Sequence, residues 1–165
     1  MTQHTALEIL KSGASVFLTG EPGAGKTHTI NRYVAYLREH GIEPALTAST
    51  GIAATHIGGM TIHSWSGIGI ATVLGPRDVD RIASNEKIYK RITKAKVLII
   101  DEVSMLDARL LTAVDTVCRA VRRSAAPFGG LQTVLVGDFF QLPPVSRDQA
   151  TQYAFRSPAW SALSP

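Results

Sequence analysis

The chain has 165 residues, of which 45% are hydrophobic and 18% are charged. This composition is typical of a folded globular protein and excludes a disordered chain. The length suits one well-buried domain, residues 1–165, rather than two. The formal net charge of +4 is compatible with a nucleic-acid partner, although charge alone does not identify one.

Targeting signals and cysteine content predict a cytoplasmic protein without a membrane partner. No apolar run reaches the roughly 18 residues of a membrane span, and residues 1–4 do not begin a signal-peptide pattern. The single cysteine, Cys118, cannot form an internal disulfide, which favours a reducing compartment. Because Cys118 lies in an apolar helical stripe, we predict a buried thiol rather than a reactive one.

The hydrophobic pattern predicts helices that alternate with strands, and therefore an α/β sandwich with a largely parallel sheet. A small-residue segment at 49–69 predicts short helical stretches, and the tail after Pro144 predicts irregular structure. The predicted strands are 16–19, 44–48, 97–101 and 132–137, and the predicted helices lie around 6–10, 27–39, 79–92 and 107–123.

The segment GEPGAGKT at 20–27 matches the pattern G-x-x-x-x-G-K-[ST] at every fixed position. A predicted strand precedes it and a predicted helix follows it, which is the context that a phosphate loop requires. Lys26 is suited to reach the β- and γ-phosphates, and Thr27 is suited to ligate Mg²⁺. The alternative is a glycine-rich turn without a ligand. We predict a nucleoside triphosphate site that includes Gly20, Glu21, Pro22, Gly23, Ala24, Gly25, Lys26, Thr27 and His28.

Two carboxylates, Asp101 and Glu102, end the apolar strand at 97–101. Ligands of open α/β sheets bind at the carboxyl ends of the strands, so both residues fall where a nucleotide would lie. Asp101 is suited to hold Mg²⁺, and Glu102 is suited to polarise the attacking water. The alternative is an acidic cap at the start of the next helix.

Gln141 follows the predicted strand at 132–137 and precedes two prolines. Its amide can donate a hydrogen bond to a phosphate oxygen and accept one from water, so it can report whether a γ-phosphate is present. The alternative is a polar strand end before a proline turn, which these residues in isolation favour.

Small hydroxyl residues, glycines and histidines fill the segment 47–65, which is suited to contact a phosphodiester backbone without reading sequence. His63 and Trp65 can add contacts or base stacking. The alternative is close helix packing with Trp65 in the core, and the residue types alone favour it. A metal site at His63 is not predicted, because no cysteine or second histidine stands at ligand spacing.

Taken in order, these segments resemble the first RecA-like motor domain of superfamily 1 DNA helicases of the PIF-type, RecD-like branch. The pattern GDFFQLPP after IIDE is distinct from that of clamp-loader-type ATPases. The resemblance implies a three-layer P-loop NTPase fold and a 5′→3′ helicase that uses ATP and Mg²⁺ on single-stranded DNA. The matching segments are GEPGAGKT (20–27), ASTGIAA (48–54), GGMTIHSW (58–65), IIDEVSML (99–106) and VGDFFQLPPV (136–145).

The resemblance also implies a role for individual positions. Gln3 corresponds to the family's adenine-reading glutamine, and residues 155–160 correspond to a structural element. Lys26, Thr27, Asp101, Glu102 and Gln141 correspond to the phosphate, Mg²⁺, Mg²⁺, water-activating and γ-phosphate-sensing residues. The single-strand DNA contacts correspond to Thr50, Gly51 and the segment 59–65, with His63 and Trp65.

In this family a second RecA-like domain supplies an arginine finger and the other wall of the ATP cleft, and the 165 residues end before any segment that resembles it. We therefore expect a fragment or truncated form that hydrolyses ATP slowly on its own, with the second domain supplied in cis or in trans. Two alternatives stay open, a nucleotide-gated DNA-binding module that does not unwind and a P-loop ATPase that acts on proteins. Replication, repair, recombination and telomere maintenance are all compatible processes.

Overall fold

The computed structural model describes residues 1–70, 73–141, 144 and 152–163. The strands in these ranges are β1 (Val16–Leu18), β2 (Ala45–Ala48), β3 (Met60–Thr61), β4 (Val97–Asp101) and β5 (Gln132–Val136). The helices are α1 (Gln3–Lys11), α2 (Lys26–Glu39), α3 (Gly51–His56), α4 (Ile62–Ser66), α5 (Pro76–Ala83), α6 (Glu86–Lys94), α7 (Ala108–Arg122) and α8 (Pro158–Leu163).

The strands form one five-stranded sheet in the order β1-β5-β4-β2-β3, and every pairing between them is parallel. This confirms the predicted parallel α/β architecture. The order places β5 and β4 side by side with β1 next to β5, so the segments that follow these three strands emerge at one edge of the sheet. The phosphate loop, the two carboxylates and the segment with Gln141 are therefore neighbours.

Helices cover both faces of the sheet, because β4 is apolar on both sides. Val97 and Ile99 pack with α1 and α2, whereas Leu98 and Ile100 pack with α4 to α8. Alternate residues of a strand point to opposite faces, so an unbroken apolar run is buried twice. The result is a three-layer α/β/α sandwich, as predicted.

The prediction of one basic helix over 79–92 was wrong, because two helices, α5 and α6, occupy this region. Asn85 separates them: it has extended backbone angles, and its side chain accepts a 3.2 Å hydrogen bond from the backbone N–H of Ile88. An asparagine at this position begins a new helix instead of continuing the old one. Gly75 caps the start of α5.

The last described segment packs against the sheet. The Trp160 ring of α8 lies 4.8 Å from the Phe17 ring of β1, measured between ring centroids, which agrees with a structural role for residues 155–160. The prediction of an irregular tail was wrong for Pro158–Leu163, which form α8, and residues 145–151 and 164–165 of this tail lie outside the described residues. No helix in the described ranges is long and apolar enough to cross a membrane.

Candidate functional site

The phosphate loop lies between β1 and α2, and Gly25 caps the helix. Gly25 has a φ of 89°, in the left-handed region that a glycine adopts without strain. The turn is closed by a 3.0 Å hydrogen bond from the backbone N–H of Ala24 to the carbonyl of Glu21. The local structure therefore has the strand–loop–helix form that the motif predicts.

A cavity of about 620 Å³ lies at the edge of the sheet where β1, β4 and β5 end. Its lining includes most of the predicted nucleotide-site residues, which come from three separate segments of the chain. They are Pro22, Gly23, Gly25, Lys26, Thr27, His28, Asp101, Glu102 and Gln141. Gly20, Glu21 and Ala24 belong to the same loop but do not line the cavity.

The ammonium group of Lys26 contacts the phosphate loop itself. Its Nζ donates to the carbonyl oxygen of Gly20 and, at 3.2 Å, to that of Glu21. These neutral acceptors do not neutralise the ammonium charge, and Lys26 lies close enough to Asp101 and Glu102 to favour their ionised forms. Lys26 is thus a cation at the edge of the cavity, suited to an anionic ligand.

Asp101 and Glu102 share the cavity but differ in backbone conformation. Asp101 is the last residue of β4, whereas Glu102 has φ 54° and ψ 41°, a left-handed conformation that is uncommon for a residue with a side chain. Burial raises the pKa of Asp101, an effect opposed by the backbone N–H of Glu102 and by the charges of Lys26 and His56. Burial and the nearby Asp101 charge raise the pKa of Glu102. A carboxylate with a raised pKa is a better proton acceptor.

Gln141 is held near the cavity by Asp138, which sequence reasoning did not assign to the site. The buried Asp138 carboxylate accepts a 2.9 Å hydrogen bond from the backbone N–H of Phe140, and its carbonyl accepts one of 3.2 Å from that of Gln141. An aspartate that bonds the backbone two residues on forms a tight turn. The acid in the GDFFQ segment is the signal that identifies this turn.

Gln3 contacts the phosphate loop but does not line the cavity. Its Nε2 donates a 3.4 Å hydrogen bond to the carbonyl of Ala24. The same atom would lie 2.1 Å from a Cβ at position 25, so Gly25 is required for this close approach. Gln3, the first residue of α1, therefore packs against the phosphate loop.

The predicted DNA-contact residues are not part of the cavity lining. Thr50 caps α3 and accepts a 3.2 Å hydrogen bond from Ala53, and the neighbouring Gly51 is exposed. His63 is partly buried on α4, and burial lowers its pKa. The backbone N–H of Ser49 donates a 3.1 Å hydrogen bond to the carbonyl of Asp101, which ties the start of this group to the end of β4.

The interpretation of Trp65 as a base-stacking residue requires correction. The Trp65 side chain is only 4% exposed and packs in the core between α4, α6 and the sheet. A buried ring has no free face on which a base can stack, so Trp65 anchors α4 to the core instead. The structural alternative that the residue types favoured is the one that the structure shows.

The cavity lining also contains residues that carried no motif signal. Ile57 comes from the end of α3, and Asn31 comes from the second turn of α2. Because Ile57 lines the same cavity as Asp101 and Glu102, the end of α3 lies beside the carboxylates. One short helix, α3, therefore begins at the predicted DNA-contact residues and ends at the cavity.

Comparison with known proteins identifies the family. A model of the PIF1-like helicase family matches residues 3–164. The chain is 53% identical over 163 residues to the ATP-dependent DNA helicase Pif1 of Psychrobacter sp. (strain PRwf-1), an alignment that covers 97% of this chain and 25% of that protein. The chain thus spans about a quarter of the length of this relative.

Solved structures show the same fold at substantial identity. The crystal structure of the Pif1 helicase from Candida albicans matches with a TM-score of 0.92 and 40% identity, over 98% of this chain and 37% of that one. The Pif1 helicase from Bacteroides in complex with ADP-AlF3 and ssDNA matches with a TM-score of 0.83 and 32% identity, over 96% and 38%. The RecA-like fold predicted from the resemblance is confirmed.

Proposed function

Because the chain belongs to the PIF1-like helicase family, we propose that residues 1–165 form the first RecA-like domain of an ATP-dependent DNA helicase. The domain binds and hydrolyses ATP and contacts single-stranded DNA. One observation carries the proposal: Lys26, Glu102 and Gln141, from three segments far apart in the chain, line one cavity. That combination of a cation, a carboxylate and an amide is the set that γ-phosphoryl transfer to water requires.

Each residue has a chemical task in this proposal. Lys26 exchanges its contacts with loop carbonyls for the β- and γ-phosphate oxygens. Glu102 accepts a proton from the attacking water, a task that its raised pKa favours. Gln141 orients that water or the γ-phosphate, and Gln3, beside Ala24, contacts the adenine base.

The donors in the cavity fit a magnesium ion. Thr27 offers a hydroxyl and Asp101 a carboxylate, both of which line the cavity. Mg²⁺ is typically held by one or two carboxylates together with substrate phosphates and water, rather than by a cage of protein ligands. The described residues contain no group of three or more His, Cys, Asp or Glu side chains that could form such a cage. When bound, Mg²⁺ neutralises charge on the phosphates.

Contact with single-stranded DNA is proposed for Thr50, Gly51 and His63. The support is their accessible or partly accessible position on α3 and α4, together with the similarity to a Pif1 helicase crystallised with ssDNA. Backbone N–H groups and hydroxyls bind phosphates without reading sequence, as a translocating motor requires. The start and end of α3 then connect DNA with the nucleotide cavity.

Duplex unwinding in the 5′→3′ direction is proposed on family resemblance and requires a second RecA-like domain, in cis or in trans. Two domains that open and close on the strand convert hydrolysis into movement. An arginine finger from that domain adds a factor on the order of 10³–10⁵ in related phosphoryl-transfer systems. We therefore expect residues 1–165, assayed without that domain, to hydrolyse ATP slowly.

The proposal is tested by measuring ATP hydrolysis with and without an oligothymidine strand, at two fixed salt concentrations. Salt must be controlled because phosphate contacts make DNA binding dependent on ionic strength. Slow hydrolysis that a strand stimulates, and that Lys26→Ala abolishes, is the expected result. A chain that binds neither a fluorescent ATP analogue nor the strand would overturn the proposal.

A further inference from the structure

Arg91 of α6 holds the carboxyl end of α4. Its Nε donates a 2.9 Å hydrogen bond to the carbonyl of Trp65, and its Nη2 donates to the carbonyl of Ser64. These carbonyls belong to the last turn of a five-residue helix, where the regular helical partners are missing. A planar guanidinium presents N–H donors on two nitrogens in a rigid fork, whereas the donors of an ammonium group all lie on one nitrogen at the end of a flexible stem.

The surroundings of Arg91 reinforce this contact. The Arg91 side chain lies partly within the protein rather than in solvent, and this burial lowers its pKa. One turn earlier on α6, Ile88 packs so closely against Gly67 that a Cβ at position 67 would lie 2.2 Å from Ile88 Cδ1. Two side chains of α6 therefore fix the end of α4.

The helix held in this way carries residues assigned to the DNA site. α4 contains His63, and Thr61 caps its first turn by accepting a 3.2 Å hydrogen bond from the backbone N–H of Ser64. A five-residue helix is too short to be stable alone, so its position depends on such external contacts. A shift of α4 would therefore change the geometry of every proposed contact between this helix and single-stranded DNA.

We propose that Arg91 is a positioning residue for single-strand DNA binding: it fixes α4 through the Ser64 and Trp65 carbonyls without touching the strand. The inference rests on the proposed DNA-contact role of the segment 59–65. It also distinguishes Arg91 from the other cations of α6. Lys90, the preceding residue, is exposed and pairs with Glu86 at 2.8 Å.

The first experiment measures binding of a fluorescent oligothymidine strand to Arg91→Ala, Arg91→Lys and the matched charge control Lys90→Ala. We expect Arg91→Ala to bind the strand about tenfold more weakly, since two hydrogen bonds that a charged group donates to α4 are lost, and Lys90→Ala to stay within about twofold of the wild type. Arg91→Lys, which keeps the charge but supplies one donor group, falls between them. The affinity for an ATP analogue stays unchanged in all three.

The dependence on salt separates positioning from direct contact. If Arg91 only positions α4, the slope of log affinity against log salt stays at the wild-type value while the affinity falls. If Arg91 binds a phosphate, the slope decreases in magnitude by about one. A decreased slope would overturn the inference in favour of a direct contact.

A spectroscopic readout follows α4 without DNA. The sequence has two tryptophans, so Trp160→Phe leaves the buried Trp65 as the sole indole. In that background we expect Arg91→Ala and Arg91→Lys to shift Trp65 emission to longer wavelength, while Lys90→Ala does not. Far-UV circular dichroism tests whether each variant is folded. If Arg91→Ala is not folded, the comparison is made with Arg91→Lys.

Failure of the proposed DNA contact can be distinguished from failure of the inference about Arg91. A wild-type chain that binds no strand overturns the proposed DNA contact and the inference with it. A wild-type chain that binds the strand, with Arg91→Ala and Arg91→Lys folded and equal to it in affinity or in Trp65 emission, overturns the inference alone.

Discussion

The backbone N–H of Glu102 donates a 2.9 Å hydrogen bond to Oδ1 of Asp101, so the first carboxylate accepts a bond from the backbone of the second. The left-handed conformation of Glu102 turns the chain away from the strand at this point. Two successive carboxylates thereby take different positions in one cavity. The proposed division into a magnesium ligand, Asp101, and a proton acceptor, Glu102, depends on this turn.

Glu102→Gln is expected to keep ATP binding and to slow hydrolysis roughly 10²- to 10⁴-fold, the usual contribution of a general base. The amide preserves the shape of the side chain but cannot take the proton, while Asp101 remains. Single-turnover hydrolysis and equilibrium binding of an ATP analogue measure the two effects. Glu39→Gln, an exposed carboxylate at the end of α2, is the control. Wild-type turnover in Glu102→Gln would show that Glu102 is not the base.

Lys26→Ala is expected to weaken binding of an ATP analogue by roughly 10- to 100-fold, because a charge-assisted donor to the phosphates is removed. Lys11→Ala is the matched control, since Lys11 is a cation that pairs with Glu8 at 3.1 Å away from the cavity. Fluorescence titration with both variants makes the comparison. Equal affinity in the two variants would contradict the phosphate role of Lys26.

Gly129→Ala is expected to destabilise the fold by about 3 kcal/mol, because left-handed backbone strain adds to overpacking. Gly129 has a φ of 64°, and a Cβ there would lie 2.6 Å from the carbonyl oxygen of Cys118 on α7. At Gly130, φ is 85° but no atom lies within 4 Å of an added Cβ. Gly130→Ala therefore bears the strain alone, about 1 kcal/mol. Urea unfolding measures the free energy of unfolding of both variants. Gly130→Ala must be the more stable of the two.

Cys118 predicts a pH dependence of stability. Burial, with a smaller contribution from Asp115, raises the pKa of the thiol from 9.0 to about 12. As the pH rises, the thiol ionises in the unfolded chain before it ionises in the folded chain. Its contribution to the free energy of unfolding is therefore complete below pH 9.0 and is lost as the pH rises toward about 12. The loss amounts to about 1.4 kcal/mol per pH unit.

Comparison with Cys118→Ala isolates this effect from other groups that titrate at high pH. The difference in free energy of unfolding between wild type and variant is expected to narrow between about pH 8 and about pH 10. Urea unfolding at both values measures it. A constant difference would mean that the thiol is not desolvated in the folded chain.

Much of the fold was predictable, because the determining patterns are local. The apolar run of β4 and the stripe of α7 that contains Cys118 specify their own type and burial, and both are confirmed. β3 was not predicted, since two residues acquire strand character only by pairing with Thr47 and Ala48 of β2. The burial of Trp65 was favoured by the residue types, whereas the base-stacking role that the family resemblance implied is not compatible with its place in the core.

The sequence by itself determined which residue types the proposed nucleotide site contains: the phosphate loop with Lys26, and the acids and amide that follow apolar strands. These are short motifs whose residue types carry their own meaning. The tertiary structure decided which of them meet, because the strand order β1-β5-β4-β2-β3 differs from the order in the chain. It also revealed the contacts of Arg91 with α4 and the turn that Asp138 makes beside Gln141. Such contacts join residues distant in sequence or depend on backbone geometry, so packing and hydrogen bonding select them, not local propensity.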